Sequence, residues 1–461
     1  MTTISFPNDF VWGVATASYQ IEGTPTADGG GASVWDMFTR KQGAIWDSSS
    51  GAVACDHYRR FREDVALMRD LGLQGYRFSI SWPRVIPDGT GAINQKGLDF
   101  YDALVDALLE ANIQPWVTLY HWDLPYELYC RGGWLNRDSA DWFAEYAQII
   151  VDRLSDRVRH WMTLNEPQCF IGLGLSNGQH APGLKLDWPD VLRAGHHALL
   201  AHGRAVQVIR ARAKQPTQIG YAPVGAVHVP ASDSPADIEA ARTAMFSITE
   251  KSYWNNTWWL DPVFFGRYPE DGLQVFGDAA PPIRAGDMET ISQPLDFFGA
   301  NIYNGYTMRA GADGKPEGVS HPFGIGRTMY HWPVTPPSLY WGPRYYYERY
   351  GKPIVITENG VATSDWLALD GRVPDGQRID FLTRYLRELG RAHADGVDIQ
   401  AYFQWSFMDN FEWQEGYKQR FGLVYVDYQT QQRVPKDSAY WYRELIRCNG
   451  ALLNQAATSA T

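Results

Sequence analysis

Trp161-Met162-Thr163-Leu164-Asn165-Glu166-Pro167 is the stretch on which the reading of this chain turns. An aromatic residue followed by alternating bulky and small residues reads as a strand. It ends on a carboxylate with an amide directly before it. The proline that follows cannot donate to a ladder and so closes the strand. Pro353-Ile354-Val355-Ile356-Thr357-Glu358-Asn359-Gly360 repeats the plan, again delivering a glutamate at a strand's C-terminal end.

Outward from these two stretches the chain alternates strands with amphipathic helices. Phe10–Tyr19 reads as a first buried strand, and Tyr58, Phe61, Val65, Met68 and Leu71 recur at helical spacing behind it, with Gly72 suited to the cap. Further strands are expected at Gly75–Ser81, Gln114–Trp122, Gln218–Val224, Leu295–Tyr303 and Ile399–Phe407. Helices are expected around Leu98–Leu108, 138–154, Val191–Ala213, Ile379–Leu389 and 437–448. The section 226–294 is aromatic and less regular, and 305–340 reads as a Gly/Pro-rich loop. Eight near-continuously apolar strands in βα alternation imply an α/β fold, a single (β/α)8 TIM barrel with elaborated βα loops. No linker divides the chain, so one catalytic domain over 1–449 and a short polar tail at 450–461 are expected.

Composition narrows the function. The 461 residues carry 41 basic and 52 acidic side chains, a net charge of −11, which argues against a nucleic-acid or membrane-surface partner. The 19 tryptophans fill a large core and leave some over for stacking on sugar rings. Cys55, Cys130, Cys169 and Cys448 form no C-x-x-C pair, so free thiols in a reducing compartment are expected. Met1–Phe10 has neither a basic n-region nor an apolar h-region, so no signal peptide is expected. No run reaches the roughly 18 apolar residues of a membrane span. The cytoplasm is the expected address.

Active sites of such barrels lie at the C-terminal ends of the strands. Gln20, Arg77, His121, Asn165, Glu166, Asn301, Tyr303, Glu358, Trp405, Glu412 and Trp413 all fall there. Each alone has a duller explanation: a strand-end glutamate is commonly solvated, and a lone histidine commonly structural. Convergence on one mouth is what carries the reading. Two glutamates on separate strand ends suit glycoside hydrolysis, one protonating the leaving oxygen and the other attacking the sugar. Other motifs are weak. Gly172-Leu173-Gly174 lacks the dinucleotide spacing, and His196, His197 and His202 lack an H-E-x-x-H pattern. No metal and no cofactor are expected.

From Phe10 to about Asn449 the chain resembles the glycoside hydrolase family 1 β-glucosidases. The matching motifs are Gly13-Val14-Ala15-Thr16-Ala17-Ser18-Tyr19-Gln20-Ile21-Glu22-Gly23, Tyr76-Arg77-Phe78-Ser79-Ile80-Ser81-Trp82-Pro83, Tyr120-His121-Trp122-Asp123-Leu124-Pro125, Thr163-Leu164-Asn165-Glu166-Pro167, Ile356-Thr357-Glu358-Asn359-Gly360 and Asp409-Asn410-Phe411-Glu412-Trp413. The resemblance implies a retaining β-glucosidase acting on cellobiose, cello-oligosaccharides and aryl β-glucosides, with β-galactosidase and β-fucosidase side activity. It implies Glu166 as acid/base, Glu358 as nucleophile, Asn165 on the sugar 2-hydroxyl, and Gln20, His121, Glu412 and Trp413 on the 3-, 4- and 6-hydroxyls. Trp405 is implied as the stacking floor, Trp332 as the aglycone tryptophan, and Tyr303 and Arg77 as partners of Glu358; Asn301 belongs to the same substrate-binding set. Gln168 stands where the family usually has an aromatic, Leu175 where it has tyrosine, and Trp332 lies in an unusual His331-Trp332-Pro333-Val334 context. These departures gather on the leaving-group side. A 6-phospho-β-glucosidase and a non-catalytic sugar-binding barrel are the alternatives. The first usually replaces the Glu412-Trp413 pair with small residues; the second predicts loss of one glutamate, and both glutamates are present.

Overall fold

A computed structural model of the chain describes residues 4–455. Eight parallel strands close into a barrel: β1 Val11–Ala15, β2 Gly75–Ser79, β3 Gln114–Tyr120, β4 His160–Asn165, β5 Gln218–Ala222, β6 Phe297–Asn301, β7 Ile354–Asn359 and β8 Ile399–Trp405. Neighbours follow sequence order, and β1 pairs with β8 to complete the ring. The surrounding helices are α1 His57–Asp70, α2 Gln95–Glu110, α3 Ser139–Leu154, α4 Trp188–Arg212, α5 Asn256–Phe265, α6 Ser338–Tyr350, α7 Gly376–Ala394 and α8 Asp437–Arg447. The (β/α)8 expectation holds. Gly72 closes α1 as expected: its N–H bonds Arg69 O, and Leu73 N–H bonds Met68 O, a Schellman pair.

The strands are apolar on both faces because rings and helices cover both. Inside the barrel, Trp116 packs edge-on against Phe297 and Phe403. Glycines make room for these rings: a Cβ on Gly220 would lie 2.1 Å from Phe297, and one on Gly13 2.6 Å from Phe403. The interior is thus a packed core beneath an open C-terminal mouth.

Three expectations need correcting. The apolar run Phe10–Tyr19 is a strand only over Val11–Ala15, and Ser18–Ile21 is a helical turn. Apolar continuity cannot separate a buried strand from a buried helical turn; here Ser79 Oγ accepts from Ser18 N–H and Asp123 accepts from Ser18 Oγ, and the turn carries Gln20 to the mouth. The 305–340 loop contains the hairpin Gly305–Ala310 and Pro316–Val319, which adds in parallel to Val227–Pro230 to make a three-stranded sheet beside the mouth. The irregular 226–294 section supplies that third strand and several helices, α5 among them. Residues 450–455, assigned to the tail, include a 3-10 turn with Leu453 buried; 456–461 lie outside the described residues.

A buried ionic cluster anchors the segment that follows β8. Lys436 Nζ donates to Asp365 Oδ2 at 2.6 Å and to Asp409 Oδ1 at 2.7 Å, and Arg420 donates to the other oxygen of Asp409. Lys436 and Asp409 are fully buried, so each charge depends on these partners. Asp409 begins the run that ends in Glu412 and Trp413.

Candidate active site

Both glutamates are aimed by local irregularity. The β4–β5 register shifts between Met162 and Asn165, and the β6–β7 register shifts between Ile356 and Glu358. Such bulges re-aim side chains at barrel rims. Glu166 itself has φ 47°, left-handed and uncommon for a non-glycine residue; Trp122 at φ 81° and Trp413 at φ 50° share that region. Gly360 lets the end of β7 lie against β8, since a Cβ there would come 1.8 Å from Trp405 O.

The partners of the two carboxyls differ. Arg77 Nη1 donates to Glu358 Oε1 at 2.6 Å, and Tyr303 Oη donates to Glu358 Oε2 at 2.7 Å. Glu166 has no cation in contact. Asn301 Nδ2 donates to its Oε1 at 2.8 Å and Cys169 Sγ donates to its Oε2 at 3.2 Å. Burial, reinforced by the Glu358 charge, pushes Glu166 up to about 8. Burial also raises Glu358, while Arg77 and Tyr303 pull it back. The pair therefore loses its first proton from Glu358 and its second from Glu166. One ionised carboxylate beside one neutral acid is the state in which a nucleophile and a proton donor coexist.

Around the pair the polar groups form one network. Asn165 Oδ1 accepts from Arg77 Nη2 and from Asn301 Nδ2, so its Nδ2 must donate, and His121 Nε2 lies 3.1 Å away to accept. Burial, assisted by Arg77, lowers the His121 pKa well below its usual value, so the ring is neutral. Its proton then sits on Nδ1, which is buried without a protein partner and free to donate to a ligand. Gln20 Nε2 shares its two hydrogens among Asn410 Oδ1, Phe411 O and, at 3.3 Å, Glu412 Oε2, leaving a buried Oε1 unpaired. Glu412, pushed up to about 8 chiefly by burial, also accepts from Tyr330 Oη at 3.2 Å. The His121 donor, buried without a protein partner on the wall of the mouth, is what a hydroxyl of a polyhydroxylated ligand satisfies.

The mouth opens into a cavity of about 1050 Å³. Glu166, Glu358, His121, Asn301, Tyr303, Trp332, Trp405, Glu412 and Trp413 line it. Gln20, Asn165 and Arg77 stand behind that wall, each bonded to a residue in it: Glu412, His121 and Glu358 respectively. Trp405 and Trp413 are buried around His121, which lies nearly parallel to both. The outer part is lined by His228, Trp254, Tyr306 and Met308, among others.

Sequence reasoning missed Cys169 and Tyr330. Cys169 lies three residues after Glu166, one turn of the helical run that Pro167 starts, and that spacing was readable. Tyr330 lies two residues before Trp332 on a tight turn in which His331 has φ 60°, which no local pattern announces; the two rings stack at 4.5 Å and 11°. Among the described residues no group of three or more His, Cys, Asp or Glu is placed to hold a metal ion. His196 instead meets Tyr268 and Asp287, His197 meets Trp134 O, and His202 meets Thr163 Oγ1.

The model of Glycosyl hydrolase family 1 matches residues 2–451. The chain is 44% identical over 451 residues to Beta-glucosidase A of Thermotoga maritima, covering 98% of this chain and 99% of that one. It is 45% identical over 447 residues to the 1,4-beta-D-glucan glucohydrolase of Thermotoga neapolitana, covering 96% and 99%. A solved Thermotoga maritima β-glucosidase in complex with glucoimidazole superposes with a TM-score of 0.88 at 44% identity, covering 97% of this chain and 99% of that one.

Proposed function

The chain belongs to glycosyl hydrolase family 1 and is a β-glucosidase, and from that premise we propose how its residues divide the work. Terminal β-D-glucosyl residues of cellobiose, cello-oligosaccharides and aryl glucosides are hydrolysed with retention of configuration. Glu166 gives its proton to the glycosidic oxygen as Glu358 attacks C1, so the C1–O bond to the leaving group breaks and a glycosyl-enzyme ester forms. Esterification removes the Glu358 charge. Glu166, now a carboxylate, takes a proton from water whose oxygen attacks C1, releasing β-glucose and free Glu358.

The observation that carries this reading is the asymmetry of partners. Glu358 has Arg77 and Tyr303, while Glu166 has burial and a neighbouring negative charge. In the proposed sugar site, Trp405 is the floor, and Gln20, His121, Glu412 and Trp413 meet the outer hydroxyls, with Asn165 at the 2-hydroxyl. Asn165 already binds Arg77, Asn301 and His121, so only its second Nδ2 hydrogen is left for that contact. Trp332 forms part of the leaving-group wall.

A free, unphosphorylated sugar suits the charges better than a 6-phosphate. Among the described residues lining the cavity, Lys315 is the one lysine or arginine, and it lies exposed in the outer hairpin. Four free cysteines suit a reducing compartment, and among the described residues no helix is long and apolar enough to cross a membrane. The single catalytic domain is taken as 1–449. Proton NMR of the first-formed sugar tests the mechanism. β-Glucose is expected, and initial α-glucose would overturn retention.

A further inference from the structure

Tyr330 holds a position that the chemistry so far leaves unused. Residues 326–334 fold back on themselves: Val334 N–H bonds Gly326 O, Thr328 N–H bonds Trp332 O, and Met329 N–H ties the turn to Ala362 O. The Tyr330 ring is stacked on Trp332 and flanked by Phe421 at 5.9 Å. So clamped, it delivers its hydroxyl to Glu412 Oε1 at 3.2 Å, while Gln20 reaches the other oxygen. Both oxygens of Glu412 therefore have protein donors.

We propose that Tyr330 sets this enzyme's tolerance for sugars that lack the 6-hydroxyl. The proposal rests on the reading that Glu412 meets the sugar's outer hydroxyls. A buried group built to bond a substrate hydroxyl ordinarily rejects the analogue without it, because the protein's own group is left unpaired. Here Tyr330 keeps Glu412 Oε1 paired whether or not the sugar supplies a donor. The oxygen has two lone pairs, so a 6-hydroxyl can join the phenol without expelling it. Burial and the surrounding carboxylates raise the phenol's pKa well above its usual value, so it remains a donor. The ligands admitted are β-glycosides whose C6 is a methyl group as well as those with a hydroxymethyl group.

The test compares kcat/KM for 4-nitrophenyl β-glucoside and 4-nitrophenyl 6-deoxy-β-glucoside in the wild type, Tyr330→Phe and Glu412→Ala. Tyr330→Phe keeps the stacked ring and removes the donor, and should raise the glucoside to 6-deoxyglucoside ratio by about tenfold. Glu412→Ala should lower glucoside turnover strongly and bring the ratio towards one. An unchanged ratio in Tyr330→Phe, with Glu412→Ala behaving as stated, overturns the role of Tyr330 alone. Undiminished glucoside turnover in Glu412→Ala overturns the reading of Glu412, and the proposal with it.

Discussion

The thiol of Cys169 donates to Oε2 of Glu166 at 3.2 Å from one helical turn further along the chain. Because Asn301 occupies Oε1, the acid proton of Glu166 belongs on Oε2, beside this sulfur. A donor to the ionised carboxylate favours ionisation. Cys169→Ala should therefore raise the Glu166 pKa and move the alkaline limb of kcat/KM to higher pH. Cys169→Ser, with a stronger donor, should bring it back. A pH–rate profile of the three proteins decides this; a limb that stays in place would remove Cys169 from the proton's surroundings.

That limb should lie near pH 8. On the proposed division of labour Glu166 is the acid and its protonated form the active one, and burial with the Glu358 charge pushes its pKa up to about 8. kcat/KM should accordingly fall as pH rises through that value, reporting the free enzyme. Glu412 has a similar value and could produce the same limb. Glu166→Gln assayed with a 2,4-dinitrophenyl glucoside, whose leaving group needs no protonation, separates them. The limb disappears if it belongs to Glu166 and survives if it belongs to Glu412.

Removing either glutamate should leave a distinct signature. Glu166→Ala should slow poorly activated glucosides by about 10²–10⁴-fold, the usual worth of a general acid. A dinitrophenyl glucoside should still form the glycosyl-enzyme and give a burst, and azide should restore turnover with β-glucosyl azide as product, because two displacements retain configuration. In Glu358→Ala, azide attacks once from the opposite face and gives the α-azide. Exchanged products would exchange the two assignments.

Cargo is testable through charge. In the proposed sugar site a 6-phosphate would have to lie towards Glu412, with no arginine among the described cavity residues. 6-Phosphoglucosides should be at least about a hundredfold poorer in kcat/KM than glucosides, as expected for an uncompensated buried charge. Comparable values would reopen the phospho-glucosidase alternative.

The ionic cluster makes a stability prediction. Lys436→Met removes one cation shared by Asp365 and Asp409, and breaking a buried pair costs about 3–5 kcal/mol. Differential scanning calorimetry should show Tm several degrees lower. Because Asp409 leads into Glu412, KM for glucosides should rise as well. A loss of Tm with KM unchanged would confine the cluster to holding the fold.

The barrel was legible because its strands are buried on both faces and write themselves as apolar runs, six of the eight followed by a helix at the expected spacing. Glu166 and Glu358 were legible because a strand that ends on an acid is a local pattern. Cys169 apart, what escaped was not local. Nothing in Phe10–Tyr19 announces that the run bends at Thr16 into a turn bearing Gln20; Ser79 on β2 and Asp123 in the loop after β3 hold that bend from far along the chain. Tyr330 meets Glu412 across 82 positions, and only the folded chain brings them together. The Gly/Pro content of 305–340 suggested a loop, whereas pairing with Val227–Pro230 makes part of it a sheet edge.

The small sheet beside the mouth carries an evolutionary corollary. Its strands come from two different connections, after β5 and after β6, and His228, Tyr306, Met308 and Lys315 on or beside it face the outer cavity. The barrel strands beneath carry both glutamates independently of it. This part of the cavity lining can therefore drift, or be grafted, while the two glutamates stay in place on the barrel. The two segments must travel as a pair, since Val227 and Gly305 keep register only with each other. A chimera that imports one without the other would leave an unmatched edge above an otherwise competent barrel.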